Sequence, residues 1–186
     1  MMDKPIVGRK SSSMKQLFGI AVLALVTTAA SAQSAPREQS WSYLASYEAG
    51  PGSIRLNLAL RKLAPLVDYP YLVVTGPTYA STQRQGLPEA MDLGRLNSLQ
   101  ELVVAAIAKQ GPHVYAGTFT HNNEQLHYVY VRSPAGISQA LAEVYAKHCA
   151  GCKVYTNIKQ DPSWSAYSDF LFPNEATRAH YGLQIK

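Results

Sequence analysis

The alternation of apolar and polar residues predicts short strands in the first part of the chain. Residues 41–47 alternate and are rich in aromatic side chains, and residues 54–60 place isoleucine or leucine at every second position, which is the period of a half-buried strand. Between them, Gly50-Pro51-Gly52-Ser53 has the composition of a turn. The two strands therefore predict an N-terminal hairpin that extends or covers a larger sheet.

The next part of the chain changes from a strand period to a helix period. Residues 71–75 form a β-rich run. From Leu93 the apolar residues recur every three or four positions until Gly111-Pro112, a pair that ends helices. Residues 114–131 then alternate on both sides of Asn122-Asn123, which predicts a hairpin with a slightly long loop.

The remaining pattern completes a sheet with two helices. Pro134 opens a second helical stripe, and residues 153–158 predict a last strand. From residue 70 onward the order is β-α-β-β-α-β, which is the ferredoxin-like split βαβ arrangement. The sequence therefore predicts an α+β fold, in which an antiparallel sheet carries two helices on one face and an N-terminal β-hairpin is added to it.

The end of the chain predicts a short C-terminal helix. Asp161 is placed to cap a helix whose first residue is Pro162, and Pro173 is placed to stop it. The aromatic and apolar residues between them recur at helical spacing: Trp164, Tyr167, Phe170 and Leu171. A helix pinned to the core by these side chains is the main interpretation, and an aromatic binding cage is the alternative.

Residues 1–32 have the three-part anatomy of a cleavable secretory signal. Lys15 precedes an apolar stretch at residues 17–30, and Ala30-Ser31-Ala32 is a small-x-small cleavage site. The stretch is shorter than the roughly 20 apolar residues that span a bilayer. Met14 offers an alternative start. We expect cleavage between Ala32 and Gln33, and export to the periplasm or the medium.

Removal of this leader changes the charge of the chain. The 186-residue sequence carries +5, but the leader holds four of its 17 basic residues and one of its 12 acidic ones, so the mature chain carries +2. Because nucleic-acid binders show a strong basic excess, we expect no nucleic-acid partner. Nothing after the leader is long and apolar enough for a membrane span. We expect a short polar linker at residues 33–40 and one domain at residues 41–186.

Cys149 and Cys152 are the two cysteines of the chain. In an oxidising compartment a pair at this spacing predicts a disulfide. A redox role favours a helix N-terminus, where the helix dipole stabilises a thiolate, but this pair follows the second helical stripe. A structural disulfide is the main prediction, and a redox pair, a metal site or free thiols are the alternatives.

His121, Glu124 and His127 flank the second hairpin turn and offer the other candidate chemistry. Side chains of these types hold metal ions or perform acid–base catalysis, although a polar surface hairpin explains them more simply. The sequence has no metal-ligand spacing, no Gly-x-Ser-x-Gly elbow and no glycine-rich phosphate loop after a strand. We therefore expect no cofactor, no metal and no catalytic residue of a recognised kind.

Four aromatic residues offer a candidate binding face. By strand alternation, Tyr115 and Phe119 share one face of a strand, and Tyr128 and Tyr130 share a face of its partner. Two interpretations stay open. The rings pack beneath the N-terminal hairpin, or they form an exposed patch that binds another protein, since protein interfaces favour tyrosine.

Several motifs together resemble a bacterial family known as domain of unknown function 695, over about residues 41–173. The matching residues are Trp41-Ser42-Tyr43, Gly86-Leu87-Pro88, Tyr115 to Thr120, Tyr128-Val129-Tyr130, and Asp161-Pro162-Ser163-Trp164 through Pro173. The family is similar in fold to regulator of RNase activity B, a ferredoxin-like protein that binds and inhibits a cytoplasmic ribonuclease. The resemblance implies no activity and no catalytic residue, and the export signal separates this chain from that ribonuclease.

These observations favour a non-enzymatic periplasmic module that binds another protein, as an inhibitor or an immunity-type partner. Its support is the export signal, the tyrosine-rich sheet and the analogy to a fold relative that works by binding. The alternative is an enzyme with an unrecognised site, either at His121, Glu124 and His127 or at the cysteine pair.

Overall fold

A computed structural model describes residues 38–83 and 86–184 of the chain. The predicted leader and its cleavage site at Ala32 and Gln33 lie outside the described residues. No helix within the described part is long and apolar enough to cross a membrane. The elements are β1 (Ser40–Tyr47), β2 (Gly50–Asn57), a 3-10 helix (Leu58–Lys62), β3 (Tyr71–Pro77), α1 (Ala90–Gln110), β4 (His113–His121), β5 (Glu124–Val131), α2 (Ile137–His148), β6 (Val154–Gln160), a π-helical turn (Ala166–Leu171) and α3 (Glu175–His180).

The six strands form one sheet in the order β1-β2-β4-β5-β3-β6, and every neighbouring pair is antiparallel. The predicted α+β fold is confirmed. The order β4-β5-β3-β6 is compatible with the ferredoxin-like arrangement, because β3 and β4 flank β5 and are joined through α1. The N-terminal hairpin extends this sheet, since β2 pairs with β4 through registers such as Ile54 opposite Phe119.

Both faces of the sheet are covered. On the helix face, α1 and α2 bury side chains such as Val103, Ile107 and Leu141 against β3 and β5. On the opposite face, residues 161–172, which we call the tail segment, cover the sheet together with the 3-10 helix after β2. Each face therefore has its own apolar core, and the sheet is the middle of three layers.

The turns of both hairpins differ from the sequence prediction. The first turn is Glu48-Ala49, and Gly50 to Ser53 already belong to β2. Gly52 is needed within the strand because a Cβ there would lie 2.6 Å from the ring of Phe119. The second turn has only two residues, Asn122 and Asn123, whose φ angles of 46° and 64° suit a tight antiparallel hairpin.

The tail segment is helical over a shorter range than predicted. Trp164 has a φ of 59°, a left-handed conformation that no helix continues through. Regular turns therefore begin after it, and the N–H of Phe172 donates to the carbonyl of Tyr167 at 2.8 Å, the wider spacing of a π-helix. The chain then adds α3, which the sequence pattern did not predict.

Candidate functional site

The structure does not bring His121 and His127 together. His121 and Glu124 face each other across the β4–β5 turn, and the ring of His121 stacks on Phe119, 5.5 Å between centroids. His127 lies on the helix face, fully buried, with Nδ1 3.2 Å from the hydroxyl of Thr118. The described residues hold no group of three histidine, cysteine or acidic side chains suited to a metal ion. The proposed three-residue site is therefore not assembled.

The four aromatic residues do not share one exposed face. A β-bulge between Tyr115 and Gly117 adds one residue to β4 and reverses the alternation. Tyr115 consequently packs on the helix face, whereas Phe119, Tyr128 and Tyr130 pack on the face that the tail segment covers. Tyr130 is completely buried. Phe170 and Trp164 of the tail segment cover these three rings. Of the two interpretations that the sequence left open, packing beneath the N-terminal hairpin applies only to Phe119, which also contacts Tyr47.

Tyr130 and Trp164 explain how the tail segment is held. Their rings stack almost in parallel, 3.7 Å between centroids, and the indole N–H donates to the carbonyl of Tyr69 at 3.1 Å. The carboxylate of Asp161 accepts the hydroxyl of Tyr130 at 2.7 Å and the backbone N–H of Ala166 at 3.0 Å. These residues are structural, and the interpretation of Trp164 as part of the core is the one that fits.

Cys149 and Cys152 lie at disulfide distance, with 5.4 Å between their Cα atoms. Cys149 ends α2 and is buried against the helix-face core. The C-terminal end of a helix carries partial negative charge, which disfavours a thiolate there. This position suits a structural crosslink better than a redox centre.

A polar pocket lies on the helix face, between the β2–β4–β5 strands and the first turns of α1. Its volume is about 360 Å³, within the range of roughly 300–1,000 Å³ that small-molecule sites occupy. Arg55 of β2 is the one charged residue among the described residues that line it. The others are Ser42, Leu44, Ser53, Gln83, Leu87, Pro88, Leu93, Asn97, Thr118, Thr120 and Gln125.

A chain of hydrogen-bonded side chains extends from this polar pocket beneath α1. The guanidinium of Arg55 donates to Oε1 of Gln100, and the hydroxyl of Thr118 contacts Tyr115, Gln100 and the ring of His127. Burial and the charge of Arg55 lower the pKa of His127 to about 3. His127 is therefore neutral at ordinary pH, and Arg55 supplies the positive charge of this network.

Gln125 is the unusual member of the pocket lining. Its side chain is only 5% exposed, and its Oε1 has no hydrogen-bond partner among the described residues. The backbone at this position is held firmly, because Gly76 of β3 approaches so closely that a Cβ there would lie 1.7 Å from the carbonyl oxygen of Gln125. A buried acceptor without a donor costs about 1–3 kcal/mol, so its presence calls for an explanation.

A second opening, the β6 groove, lies on the other face between β3, β5, β6 and the tail segment. Its volume is about 400 Å³. Tyr128 and Phe170 form an aromatic floor, 5.7 Å between ring centroids, and Tyr155 at the rim is 44% exposed. The remaining lining residues are Leu72, Val74, Leu126, Asn157, Lys159, Ser165, Ala166 and Asp169.

The two edges of the sheet are treated differently. At the β1 edge, the hydroxyl of Tyr181 contacts both the N–H and the carbonyl of Leu44, at 3.1 and 3.2 Å. Among the described elements, β6 pairs only with β3. The carbonyl of Lys153 and the N–H of Asp161 point toward β3, so the alternating positions between them, including Thr156 and Ile158, direct their backbone groups outward.

A family model described as a family of unknown function, DUF695, matches residues 39–172. The chain belongs to the DUF695 family. The match spans all six strands, both main helices and the tail segment of this DUF695 domain. Neither a curated protein nor a solved structure matches the chain.

Residues of the motifs that resemble the family lie in two regions of the DUF695 domain, the polar pocket and the tail segment. Ser42, Leu87, Pro88, Thr118 and Thr120 line the polar pocket, although they come from three separate parts of the sequence. The final motif forms the tail segment. Residues of these motifs therefore contribute to one ligand-sized opening and form the structure that covers the opposite face.

Arg55 and Gln125 are candidate site residues of this DUF695 domain that the sequence pattern did not predict. Arg55 alternates with the buried Ile54 and Leu56, which is the ordinary pattern of a half-buried strand and does not single out Arg55. One signal was available, because polar residues recur on the same face of three adjacent strands. Recognising it required knowing that β2 joins β4 and that α1 covers this face.

Proposed function

We propose that this domain is exported and binds another protein, without catalysis, by pairing an extended segment of that partner with the β6 edge. The observation that carries the proposal is the open edge of β6 beside the β6 groove. Unpaired strand edges attract other chains unless a protein protects them. At the β1 edge, Tyr181 bonds the N–H and the carbonyl of Leu44, whereas no described group bonds the outward backbone groups of β6. The leader pattern at residues 1–32 supports export.

The β6 groove suits this mode of binding. When an extended peptide adds to a sheet edge, the main-chain hydrogen bonds supply affinity and pockets for alternate side chains supply specificity. The outward backbone groups of Thr156 and Ile158 can form these main-chain hydrogen bonds. The floor formed by Tyr128 and Phe170, with Tyr155 at its rim, offers a pocket for side chains, because aromatic surfaces bury large apolar side chains well.

The charges near β6 indicate the chemistry of the partner. Lys153 and Lys159 lie at the two ends of the strand, and Asp169 is the one acidic residue among the described residues that line the β6 groove. A segment that alternates apolar and acidic residues complements this arrangement. A second copy of the chain does not, because antiparallel pairing of two β6 strands centred on Thr156 places Lys153 of each copy opposite Lys159 of the other.

The same features favour an inhibitor or immunity-type role. A partner segment that is held at the β6 edge is no longer available for the activity of the partner. The enzyme alternative lacks an assembled site at His121 and His127, which lie on opposite faces of the sheet. The redox alternative places Cys149 at the unfavourable end of α2. Neither alternative has an observation in its favour.

Site-specific crosslinking tests the docking surface. Benzoylphenylalanine is placed at position 155, at the rim of the β6 groove, and at position 109 on α1 as a matched exposed control. In cells that export the chain, irradiation should give one adduct heavier than the chain at position 155 and none at position 109. Absence of an adduct at 155, equal adducts at both positions, or an adduct of twice the chain mass overturns the proposal.

A charge-reversal pair then tests the partner chemistry. The partner identified from the adduct is titrated with Tyr155→Ser/Lys159→Glu and with Lys109→Glu, which makes the same charge change far from β6. The first variant should bind at least about tenfold more weakly, because it loses an aromatic contact and reverses a complementary charge. Equal affinities of both variants contradict docking at β6. Mass spectrometry of the periplasmic and extracellular fractions should give a mature chain that begins at Gln33, and recovery of the full-length chain from the cytoplasmic fraction alone contradicts the export step.

A further inference from the structure

We propose that the polar pocket binds a small organic carboxylate that also carries a hydrogen-bond donor. The pocket lies on the helix face, opposite the β6 groove, so this inference stands apart from the proposed protein docking. Three observations on the lining carry it. Within the described part of the chain, they are a half-buried arginine without an acidic partner, a buried acceptor without a donor, and an apolar wall beside them.

Arg55 provides the anchor for the carboxylate. Its guanidinium donates to Gln100 and interacts with the hydroxyl of Tyr115, which leaves further N–H donors of its five available. The ion pairs among the described residues are Arg95 with Asp92 and Arg132 with Asp68, so Arg55 forms no ion pair with a described carboxylate. Arginine binds carboxylates through two parallel hydrogen bonds.

Gln125 provides the reason for a donor on the same ligand. Its Oε1 is buried and has no partner among the described residues, and Gln125 is one of the residues that line the pocket. A hydroxyl or N–H on the ligand satisfies this oxygen and removes its desolvation cost. Thr118 and Thr120 lie on the neighbouring strand and add hydroxyls that can donate or accept.

The remaining lining sets the size and the charge of the ligand. Leu44, Leu87 and Leu93 form an apolar wall that suits a hydrocarbon portion. No acidic side chain is among the described lining residues, which disfavours a metal cation. A single arginine suits a monoanion, because polyphosphates are held by several cationic side chains or backbone N–H groups. The ligand class is therefore a hydroxy or amido monocarboxylic acid of modest size.

Three probes of nearly equal shape separate the parts of this proposal. Mandelate carries a carboxylate, a hydroxyl and an apolar ring, mandelamide lacks the charge, and phenylacetate lacks the hydroxyl. We expect amide NMR signals of Thr118, Thr120 and Gln125 to shift with mandelate, less with phenylacetate and least with mandelamide. No shift up to about 20 mM, a concentration that half-fills a site with a Kd of the same value, overturns the proposal. Equal shifts with mandelate and mandelamide also overturn it.

Matched variants assign the roles of the two residues. Arg55→Gln should weaken mandelate binding at least about tenfold, whereas Arg132→Gln, the same change at an exposed arginine, should leave it unchanged. Gln125→Leu should make mandelate and phenylacetate bind equally, because the partner of the hydroxyl is lost. Retained mandelate affinity in Arg55→Gln, or a retained preference for the hydroxyl in Gln125→Leu, contradicts the assigned roles. These measurements use purified protein and one small molecule, so their failure leaves the crosslinking result unaffected.

Discussion

Asp161 fastens the tail segment to the sheet, and replacing it by alanine measures that role. Its carboxylate accepts hydrogen bonds from the hydroxyl of Tyr130 at 2.7 Å and from the backbone N–H groups of Ser165 and Ala166 at 2.9 and 3.0 Å. Alanine leaves all three donors without their acceptor. The tail segment covers one whole face of the sheet, so its attachment is expected to affect global stability.

The size of the effect follows from the burial of the three donors. Tyr130 is completely buried, and an unsatisfied buried hydroxyl costs about 1–3 kcal/mol. The two N–H groups are partly buried, so each costs less. We expect Asp161→Ala to lower the free energy of unfolding by about 3–5 kcal/mol. Tyr130→Phe alone should cost about 1 kcal/mol, but almost nothing in the alanine background, where it removes an orphaned hydroxyl.

Urea unfolding followed by tryptophan fluorescence and circular dichroism measures all four proteins of this cycle. Burial alone raises the pKa of Asp161, but the hydrogen bonds from Tyr130, Ala166 and Ser165 outweigh it and lower the pKa. The carboxylate therefore stabilises the fold above the ordinary pKa of about 4 and loses this effect as the pH falls through the lowered value. Asp161→Ala should lack that acid-dependent loss. A cost below about 1 kcal/mol, or additive single substitutions, would refute this account of the tail segment.

Three further predictions concern the remainder of the fold. Reduction of the Cys149–Cys152 disulfide should lower the free energy of unfolding by about 2 kcal/mol, because so short a loop restrains little of the unfolded chain. Urea unfolding with and without dithiothreitol measures this difference, and the stability of Cys149→Ser should not respond to the reductant. Gly76→Ala should lower the free energy of unfolding by more than about 3 kcal/mol, because its Cβ would lie 1.7 Å from a carbonyl oxygen of β5. The control Gly94→Ala has open space around its Cβ and should stabilise α1 by about 0.5–1 kcal/mol. Similar urea midpoints for the two variants contradict the close approach of β3 and β5. The ring of His127 should remain unprotonated in NMR titrations down to about pH 3, because burial and the charge of Arg55 lower its pKa. Since this histidine takes up a proton near pH 6.5 in the unfolded chain, the free energy of unfolding should fall as the pH drops from 6.5 toward 3. A ring that titrates near pH 6.5 would show that the site is open to water.

The sequence alone predicts those strands and helices that bury a single face, because burial of one face sets the spacing of their apolar residues. Strand β2 shows the two-residue period at Ile54 and Leu56, and α1 shows the helical period up to its glycine and proline stop. These signals are local, because each residue is placed by its own neighbours in the chain. The α+β class and the order of the elements follow from them without knowledge of any contact.

The features that the sequence did not reveal depend on contacts between distant residues. The bulge after Tyr115 reverses which face of β4 a side chain occupies, and nothing in the local alternation marks it. Trp164 adopts a left-handed conformation because stacking on Tyr130 and the bond to Tyr69 hold it there. Local propensity argues for a continuous helix at this point, and tertiary packing overrides it.

The polar pocket is where local preference and global fold disagree most. Elsewhere on the helix face, α1 packs apolar side chains such as Leu99 and Val103 on the sheet. Over β2 and the turn end of β4 and β5, it instead covers Arg55, Gln125 and a neutral His127. A half-satisfied polar network is less stable than an apolar core of the same size. Stability therefore does not explain these side chains, and places where a sequence departs from such consistency are the expected positions of functional sites. The oxygen of Gln125, which has no partner among the described residues, is the clearest case, because a leucine there would remove its desolvation cost, and the ligand proposed above would satisfy it.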